Sequence, residues 1–505
     1  MRGYQYLKKQ DKLPYLNEIK CSLADEIIIE KTKESGFTKN ELICLKQFIV
    51  FRILNSRFNE SLLSAISSPN KEVKFHLPKK IRVLLEKKGF KALTISNQFR
   101  WIIFSFKWYM AGIFSGIIEL MRIFISNSYP EEEFVYFDNL SKNNLPLKNC
   151  PYPTKTIVGW YIDKFKSEVD RIHHTVKNIQ DISFKGVKIL FLSSPIPPLN
   201  SLYSFFNFLL WFLKNIIVSF FSQNRQILFR ERVLTKLFQL SSFDKKRKFF
   251  FHQSTPILRP LWTYEAEKSG VEIIFYFYSL NYEELQQVGK PNLKNYYWGT
   301  TSWPNYWLWN KEQIYYLKEK ILNPFKHKIV GPIPFSTSLN KNEIKIKDKS
   351  IIVFDVPPQR DYFFQLWYPH VDFYNTDFSI KFLKKIDAVA KKLDLKVLIK
   401  RKRKDNLNLI SKRYTRYVNS LVQGGRWIEL NPDLDACTAT KINNIFAVIA
   451  TPFTSVVHFS IKNKLPSVYF NPSKKIVLSQ GKRRKVKIIT SQNCLEKWIK
   501  SKKNF

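Results

Sequence analysis

The stretch IFAVIATPFTSVVHFSIKNKLPSVYFNPS, Ile445 to Ser473, sets the reading of the fold. Its first six residues are all apolar, with no alternation. That pattern fits a strand buried on both faces, as in a parallel sheet covered by helices. Thr451 and Pro452 turn the chain, and a helix is expected over Thr454–Lys462, followed by a strand at Ser467–Phe470. Thr454 and Ser455 then sit in the first helical turn. A helix start carries unpaired N–H groups and the positive end of the dipole. Two hydroxyls beside it suit a phosphate. The same hydroxyls serve equally well as helix caps.

Outward from this stretch the pattern repeats. Upstream come a strand at Ser350–Phe354 ending at Asp355, a helix at Phe378–Lys392, a strand at Lys396–Lys400, a helix at Leu409–Val422, a strand at Arg426–Leu430 and a helix at Leu434–Ile442. Downstream come a strand at Lys485–Ile489 and a helix at Gln492–Lys500. Strands alternating with helices predict a parallel, doubly wound sheet. Such a sheet binds its ligand beyond the carboxyl ends of its strands. This series is assigned to residues 350–505. The polar, lysine-rich run FSTSLNKNEIKIKDK ahead of it places a linker at 336–349. A first α/β series is read over 185–335, with strands at Val187–Leu192, Lys248–His252, Val271–Tyr278, Asn305–Trp309 and His327–Val330. Helices are expected there at Ile257–Lys268 and Lys311–Lys320. Residues 1–184 read as mainly helical, with His173 and His174 in a polar stretch at the surface.

Composition bounds the partners. Lys+Arg number 83 against 41 Asp+Glu, a net +42. That excess predicts an anionic partner: nucleic acid, an anionic membrane or a phosphorylated small molecule. Part of it reflects the codon bias of an AT-rich genome, which the abundance of Phe, Tyr, Lys, Ile and Asn suggests. No RRM, KH, OB or helix-turn-helix signature supports nucleic acid. The five cysteines are scattered and form no CxxC, which points to a reducing compartment without disulfides or a zinc site. The opening MRGYQYLKKQDKLPYL has no apolar core of a signal peptide. Trp101–Ile125 and Leu202–Phe221 have the length of membrane spans but carry Lys107, Glu119, Arg122 and Lys214. Core helices and membrane-surface helices fit them better than spans.

Cations follow the strand at Lys396–Lys400, in KVLIKRKRKD. Lys400, Lys402 and Arg403 are expected to face the ligand together and clamp a diphosphate or carboxylate; a solvated basic loop is the plainer reading. Asp355, in DVPPQR, is placed to orient an acceptor or donor hydroxyl, or to cap a turn. Asp433-Leu-Asp435 spells a metal–diphosphate motif of another fold, but it lies between a strand and a short helix, where Asp435 reads as a cap. No metal is expected. No HExxH, P-loop or GxSxG is present.

From Trp427 to Ser473 the order is strand, Asn-Pro loop, short helix, buried strand, polar helix start and KLPSVYF. This resembles the nucleotide-sugar-binding half of GT-B glycosyltransferases. Pro452, Phe453, Thr454 and Ser455 spell PFTS, and the segment is similar to the bacterial polysaccharide biosynthesis proteins with a PFTS motif, which are associated with surface carbohydrate gene clusters. The resemblance implies two doubly wound domains facing a cleft, an α/β fold of GT-B type with a helical N-terminal region. It implies a glycosyltransferase with a nucleotide-sugar as substrate, no other cofactor, and Pro452–Ser455 against the donor phosphate. It also implies a lipid-linked or growing glycan acceptor, no nucleic acid, and a cytoplasmic protein held peripherally at the inner face of the plasma membrane. The catalytic base of that fold comes from the N-terminal domain. His252, at a strand's carboxyl end, and Glu265, in WTYEAEKSG, are the candidates. GT-B transferases that use CMP-linked donors carry a His-Pro near the basic loop. This chain has none, which counts against a CMP donor and keeps a non-catalytic assembly protein as an alternative. A basic nucleic-acid-binding protein is the third reading.

Overall fold

The computed structural model describes residues 19–503 apart from 27–35, 67, 126–128, 131, 149, 151, 200, 242–246, 253–257, 280–285, 288–295, 335–345, 361–373, 402–408, 432–433, 435, 441, 453 and 478–485. Its elements, in chain order, begin with helices α1 (Lys39–Ile53), α2 (Ser56–Ile66), α3 (Lys79–Lys87) and α4 (Ile95–Ile125). There follow β1 (Val135–Phe137), α5 (Ile157–Phe165), β2 (Arg171–His174), β3 (Ile182–Phe184), β4 (Val187–Phe191), α6 (Leu202–Phe220) and α7 (Gln223–Leu240). Next come β5 (Lys248–His252), α8 (Trp262–Lys268), β6 (Glu272–Tyr276), β7 (Gln286–Gln287), α9 (Tyr296–Thr300), β8 (Asn305–Leu308), α10 (Lys311–Lys320) and β9 (Lys326–Ile329). The C-terminal part holds β10 (Ser350–Asp355), α11 (Thr376–Leu393), β11 (Lys396–Arg401), α12 (Lys412–Gln423), β12 (Trp427–Glu429), α13 (Ala436–Ala439), β13 (Ile445–Ala450) and α14 (Val456–Lys462). It closes with β14 (Ser467–Phe470), β15 (Ile476–Val477), β16 (Lys487–Ile489) and α15 (Gln492–Lys503).

Two parallel sheets carry the fold. The first has the order β3-β4-β2-β1-β5-β6-β8-β9, parallel except at the β3–β4 edge. The second has the order β12-β11-β10-β13-β14-β16, parallel throughout. Both wind outward in two directions from their first strand. The switch falls between β1 and β5 in one sheet and between β10 and β13 in the other. In sheets wound this way ligands bind at that point, beyond the carboxyl ends.

The second sheet follows from its sequence. All six residues of β10 are buried. Ile351 and Val353 join Phe378, Phe382 and Ile386 of α11 on one face. Ile352 and Phe354 join Val457 of α14 on the other. Burial of both faces is why the strands carry no polar alternation.

The first sheet starts earlier than its sequence suggests. β1, β2 and β3 all lie in the 1–184 stretch read as helical, so the boundary at 185 cuts through this sheet. Their runs, VYF, RIHH and ISF, are three or four residues long, too short to show a period. His173 and His174 are corrected with them: both are buried in β2, not at the surface. Ahead of β1 the described residues are mainly helical and have their own apolar core. Gln47 fastens α1 to the sheet domain: its amide donates to the Thr300 carbonyl (2.9 Å) and Ser302 hydroxyl (2.7 Å) and accepts from the Arg259 N–H (3.0 Å).

The two apolar segments are helices α4 and α6, and both pack against α7. One side of each is buried, including Trp101 and Tyr109 on α4 and Phe208 and Phe212 on α6. The other side exposes large apolar residues.

The sheets present their carboxyl ends to each other. β7 follows the carboxyl end of β6, β15 follows that of β14, and the two pair antiparallel across the gap. Trp309, just past β8, meets Phe459 of α14 edge-on at 5.2 Å.

Candidate functional site between the two switch points

At the first switch point β1 runs into Asp138 and Asn139, and β5 ends in His252. Register sets them side by side, with Phe137 opposite Phe250 and the Asp138 N–H donating to the Phe250 carbonyl at 2.9 Å. His252 Nε2 lies 3.0 Å from the Asn139 carbonyl. A carbonyl only accepts, so Nε2 carries the proton and Nδ1 is the basic nitrogen. Burial pulls the His252 pKa down, the Asn139 bond opposing it, so the ring is neutral at pH 7. Asp138 is half-buried and accepts from Tyr136 Oη at 3.3 Å. Loss of hydration raises its carboxyl to about 6, against the Tyr136 and Asn139 bonds that favour the anion. Tyr276, the last residue of β6, closes the floor with a fully buried hydroxyl that has no partner among the described residues.

At the second switch point β10 ends in Asp355, β11 in Lys400 and Arg401, and β13 in Ala450, followed by Thr451-Pro452. Asp355 is buried. Tyr414 of α12 donates to its Oδ2 at 2.8 Å, and its Oδ1 has no partner among the described residues. Desolvation lifts this carboxyl to about 7, opposed by Tyr414 and Arg401. Arg401 is paired with Glu429 at the end of β12. Lys400 is buried and donates to the Arg401 carbonyl at 2.8 Å. The Thr454 hydroxyl donates to the Thr451 carbonyl at 3.0 Å, so it closes the turn after β13. Ser455 stands at the N-cap of α14 with no capping bond from its side chain. The buried Thr451 hydroxyl has no partner among the described residues.

The expected residues therefore divide. Asp355, Lys400, Pro452, Thr454 and Ser455 gather at one switch point and His252 stands at the other. Glu265 belongs to neither: it pairs with Lys268 (2.7 Å) one turn along α8. Lys402, Arg403 and Phe453 lie outside the described residues, as do Asp433 and Asp435. Asp138, Asn139, Tyr276 and Thr451 are the additions.

A family model for the polysaccharide biosynthesis PFTS motif proteins matches residues 211–499, more than half of the 505-residue chain. The chain belongs to that family.

The PFTS family match runs from α6 to α15, so it includes the whole second sheet and His252, while Asp138 and the strands before α6 lie ahead of it. Among the curated proteins nothing matches. Among solved structures, the PFTS chain is similar to an α,α-trehalose-phosphate synthase (UDP-forming) from Burkholderia vietnamiensis, at 7% identity and TM-score 0.38, covering 74% of this chain and 91% of that one. It is likewise similar to a UDP-GlcNAc 2-epimerase from Methanocaldococcus jannaschii, at 11% identity and TM-score 0.35, covering 74% and 93%. A Burkholderia xenovorans trehalose-phosphate synthase in complex with glucose-6-phosphate stands at 9% identity and TM-score 0.37, covering 74% and 92%. Pro452, Thr454 and Ser455 of the PFTS tetrapeptide follow the buried strand β13 at the second sheet's switch point.

Proposed function

We propose that this PFTS protein is a glycosyltransferase that moves a sugar from a nucleotide-sugar donor to a lipid-linked or growing glycan acceptor of a bacterial surface polysaccharide. The observation that carries the reading is the pairing of two parallel sheets, of like winding, carboxyl end to carboxyl end through β7 and β15. A crevice with two switch points holds two substrates against each other. The donor takes the second sheet. Its diphosphate meets the Thr451–Ser455 turn, with Lys400, Lys402 and Arg403 as cations and no metal. The acceptor takes the first sheet. Asp138 is the base, since it is the more accessible acidic group there and its pKa lies near the working pH. His252 is the positioning residue, holding Asn139 beside it. The acceptor oxygen passes its proton to Asp138 and bonds to the anomeric carbon. The bond to the donor phosphate breaks, and the nucleoside diphosphate leaves with the electron pair. The work is done on the cytoplasmic side, at the inner face of the plasma membrane.

The test is thermal-shift binding of CMP, UDP, GDP, ADP and dTDP to wild type and to Thr451→Val and Ser455→Ala. One nucleoside diphosphate should stabilise wild type and, less strongly, the variants, and EDTA should change neither binding nor transfer. Folded protein that no nucleotide stabilises would sink the reading. Nucleotide binding with no transfer to any extracted lipid-linked glycan would assign the protein to polysaccharide assembly without catalysis.

A further inference from the structure

We infer that α4 and α6 together form a docking face that lies side-on in the surface of an anionic lipid bilayer. The inference rests on the proposed function only in giving a lipid-linked acceptor a place to arrive from; its physical basis is separate. On the 19-residue α6, Leu202, Phe206, Leu210, Leu213, Ile217 and Phe220 are exposed apolar residues, with Tyr203 exposed off to one side. Their steps of four, four, three, four and three trace one seam along the helix. On α4, Phe99, Ile103 and Phe106 are exposed early in the helix, and Phe114, Ile118 and Met121 later. The two helices lie against each other. Tyr109 of α4 donates its hydroxyl to the Ile216 carbonyl of α6 at 2.9 Å. A Cβ at Gly116 would stand 2.3 Å from the Phe212 ring, so glycine is required for this approach. Two adjoining apolar seams make a patch that water alone does not favour leaving bare.

Charge identifies the occupant. Arg100 and Lys107 of α4 and Lys214 of α6 are exposed beside the seams. The acidic residue of the pair, Glu119, is turned in to a 2.7 Å ion pair with Arg122. α6 contains no Asp or Glu. Apolar stripes edged by lysine and arginine match acyl chains beneath anionic headgroups. A second copy would bring the same lysines onto an apolar interface with no acidic partner. Both helices are long and apolar enough to span, but each is tied to the protein on its opposite face, which favours lying in the surface: Arg122 donates to the Ile196 carbonyl and Ser204 to the Leu240 carbonyl (3.2 Å). Such helices lie in the membrane surface and do not cross it.

The test is co-sedimentation of the full chain with vesicles of phosphatidylglycerol and phosphatidylcholine, and with phosphatidylcholine alone, without nucleotide. Wild type should bind the anionic vesicles, more weakly as salt rises. Lys107→Glu and Lys214→Glu should each lower that partition about fivefold or more. Phe206→Glu/Leu210→Glu should abolish binding to both vesicle types; Leu210→Ser, at a side chain 69% exposed, serves as the variant least able to disturb folding and should weaken both. Failure of wild type to bind, or binding unchanged by the seam variants, overturns the inference. So does a wild-type dimer in sedimentation that the seam variants dissociate, since the face then belongs to a second copy. Protein that binds vesicles but no nucleotide sustains the docking face while the transferase reading falls. The reverse result removes the docking face alone.

Discussion

Each sheet ends its first strand in Phe-Asp, Phe137-Asp138 in one and Phe354-Asp355 in the other, at a switch point. The two aspartates share a position and differ in surroundings. Asp138 is half-buried, beside the exposed Asn139. Asp355 is enclosed, with Tyr414 on one oxygen and Arg401 next in register. Burial raises both, to about 6 and about 7. Under the proposed function the partly exposed carboxyl is the proton acceptor poised near neutral pH and the enclosed one is structural. Topology offers the position twice, and under the proposed function the neighbours assign the chemistry to Asp138.

Substitution at the two aspartates breaks this comparison most directly. Asp138→Asn should lower kcat by roughly 10²–10⁴ while leaving nucleotide binding unchanged. His252→Ala, acting through Asn139, should cost kcat less and shift the pH profile of turnover. Asp355→Asn should do the opposite: turnover changes little and stability changes with pH. The folded state holds the Asp355 proton to about pH 7, whereas the unfolded chain releases it near its ordinary 3.8. Between those values the unfolded state binds fewer protons, so wild-type stability falls as pH rises through that window. Asparagine can accept the Tyr414 bond without ionising. The melting temperature of Asp355→Asn should therefore gain on wild type from pH 4 to pH 8. A parallel pair of melting curves across that range would show that Asp355 is not held protonated, and would return it to the list of catalytic candidates.

A smaller effect separates donor binding from base chemistry. Lys400→Ala removes the buried cation at the end of β11 and should weaken nucleotide binding by about 1.5–3 kcal/mol, roughly 10- to 150-fold in Kd. Turnover at saturating donor should hardly move. A change in kcat without a change in Kd would transfer Lys400 from the donor to the reaction itself.

The contrast between the sheets also governs how much was legible in sequence. The second sheet was readable because its two central strands, SIIVFD and IFAVIA, are six residues long and mostly apolar, and helices with caps such as Asn375 separate the strands. Lys400, Pro452, Thr454 and Ser455 stand at the strand ends where that reading places them. The first sheet hid its origin. β1 is the three residues VYF, set in acidic and polar chain, and without it Asp138 has no address. One signal was available: FVYFD at Phe134–Asp138 and IIVFD at Ile351–Asp355 share a pattern of apolar residues running into Phe-Asp. His252 was found because β5 is longer. His173 and His174 were misplaced because a strand of alternating side chains loses its pattern when a polar ring is buried on both faces of a sheet. The Asp355–Tyr414 bond joins residues 59 positions apart, and no local pattern reports it.

Glu265 supplies the smallest effect and a check on the reasoning from position. It shares an α/β unit with His252 yet stands on α8, where it forms an ion pair with Lys268, one turn on. Its side chain is 23% exposed and that of Lys268 65%, so water screens the pair. Exposed pairs at this spacing contribute about 0.2–0.5 kcal/mol. Glu265→Gln should therefore lower stability by no more than that and leave kcat, KM and their pH dependence at wild-type values. A hundredfold loss of kcat would mean that α8 turns its first coil into the crevice when substrate binds. The base would then be Glu265, and the half-buried Asp138 would be its neighbour and not the acceptor of the proton.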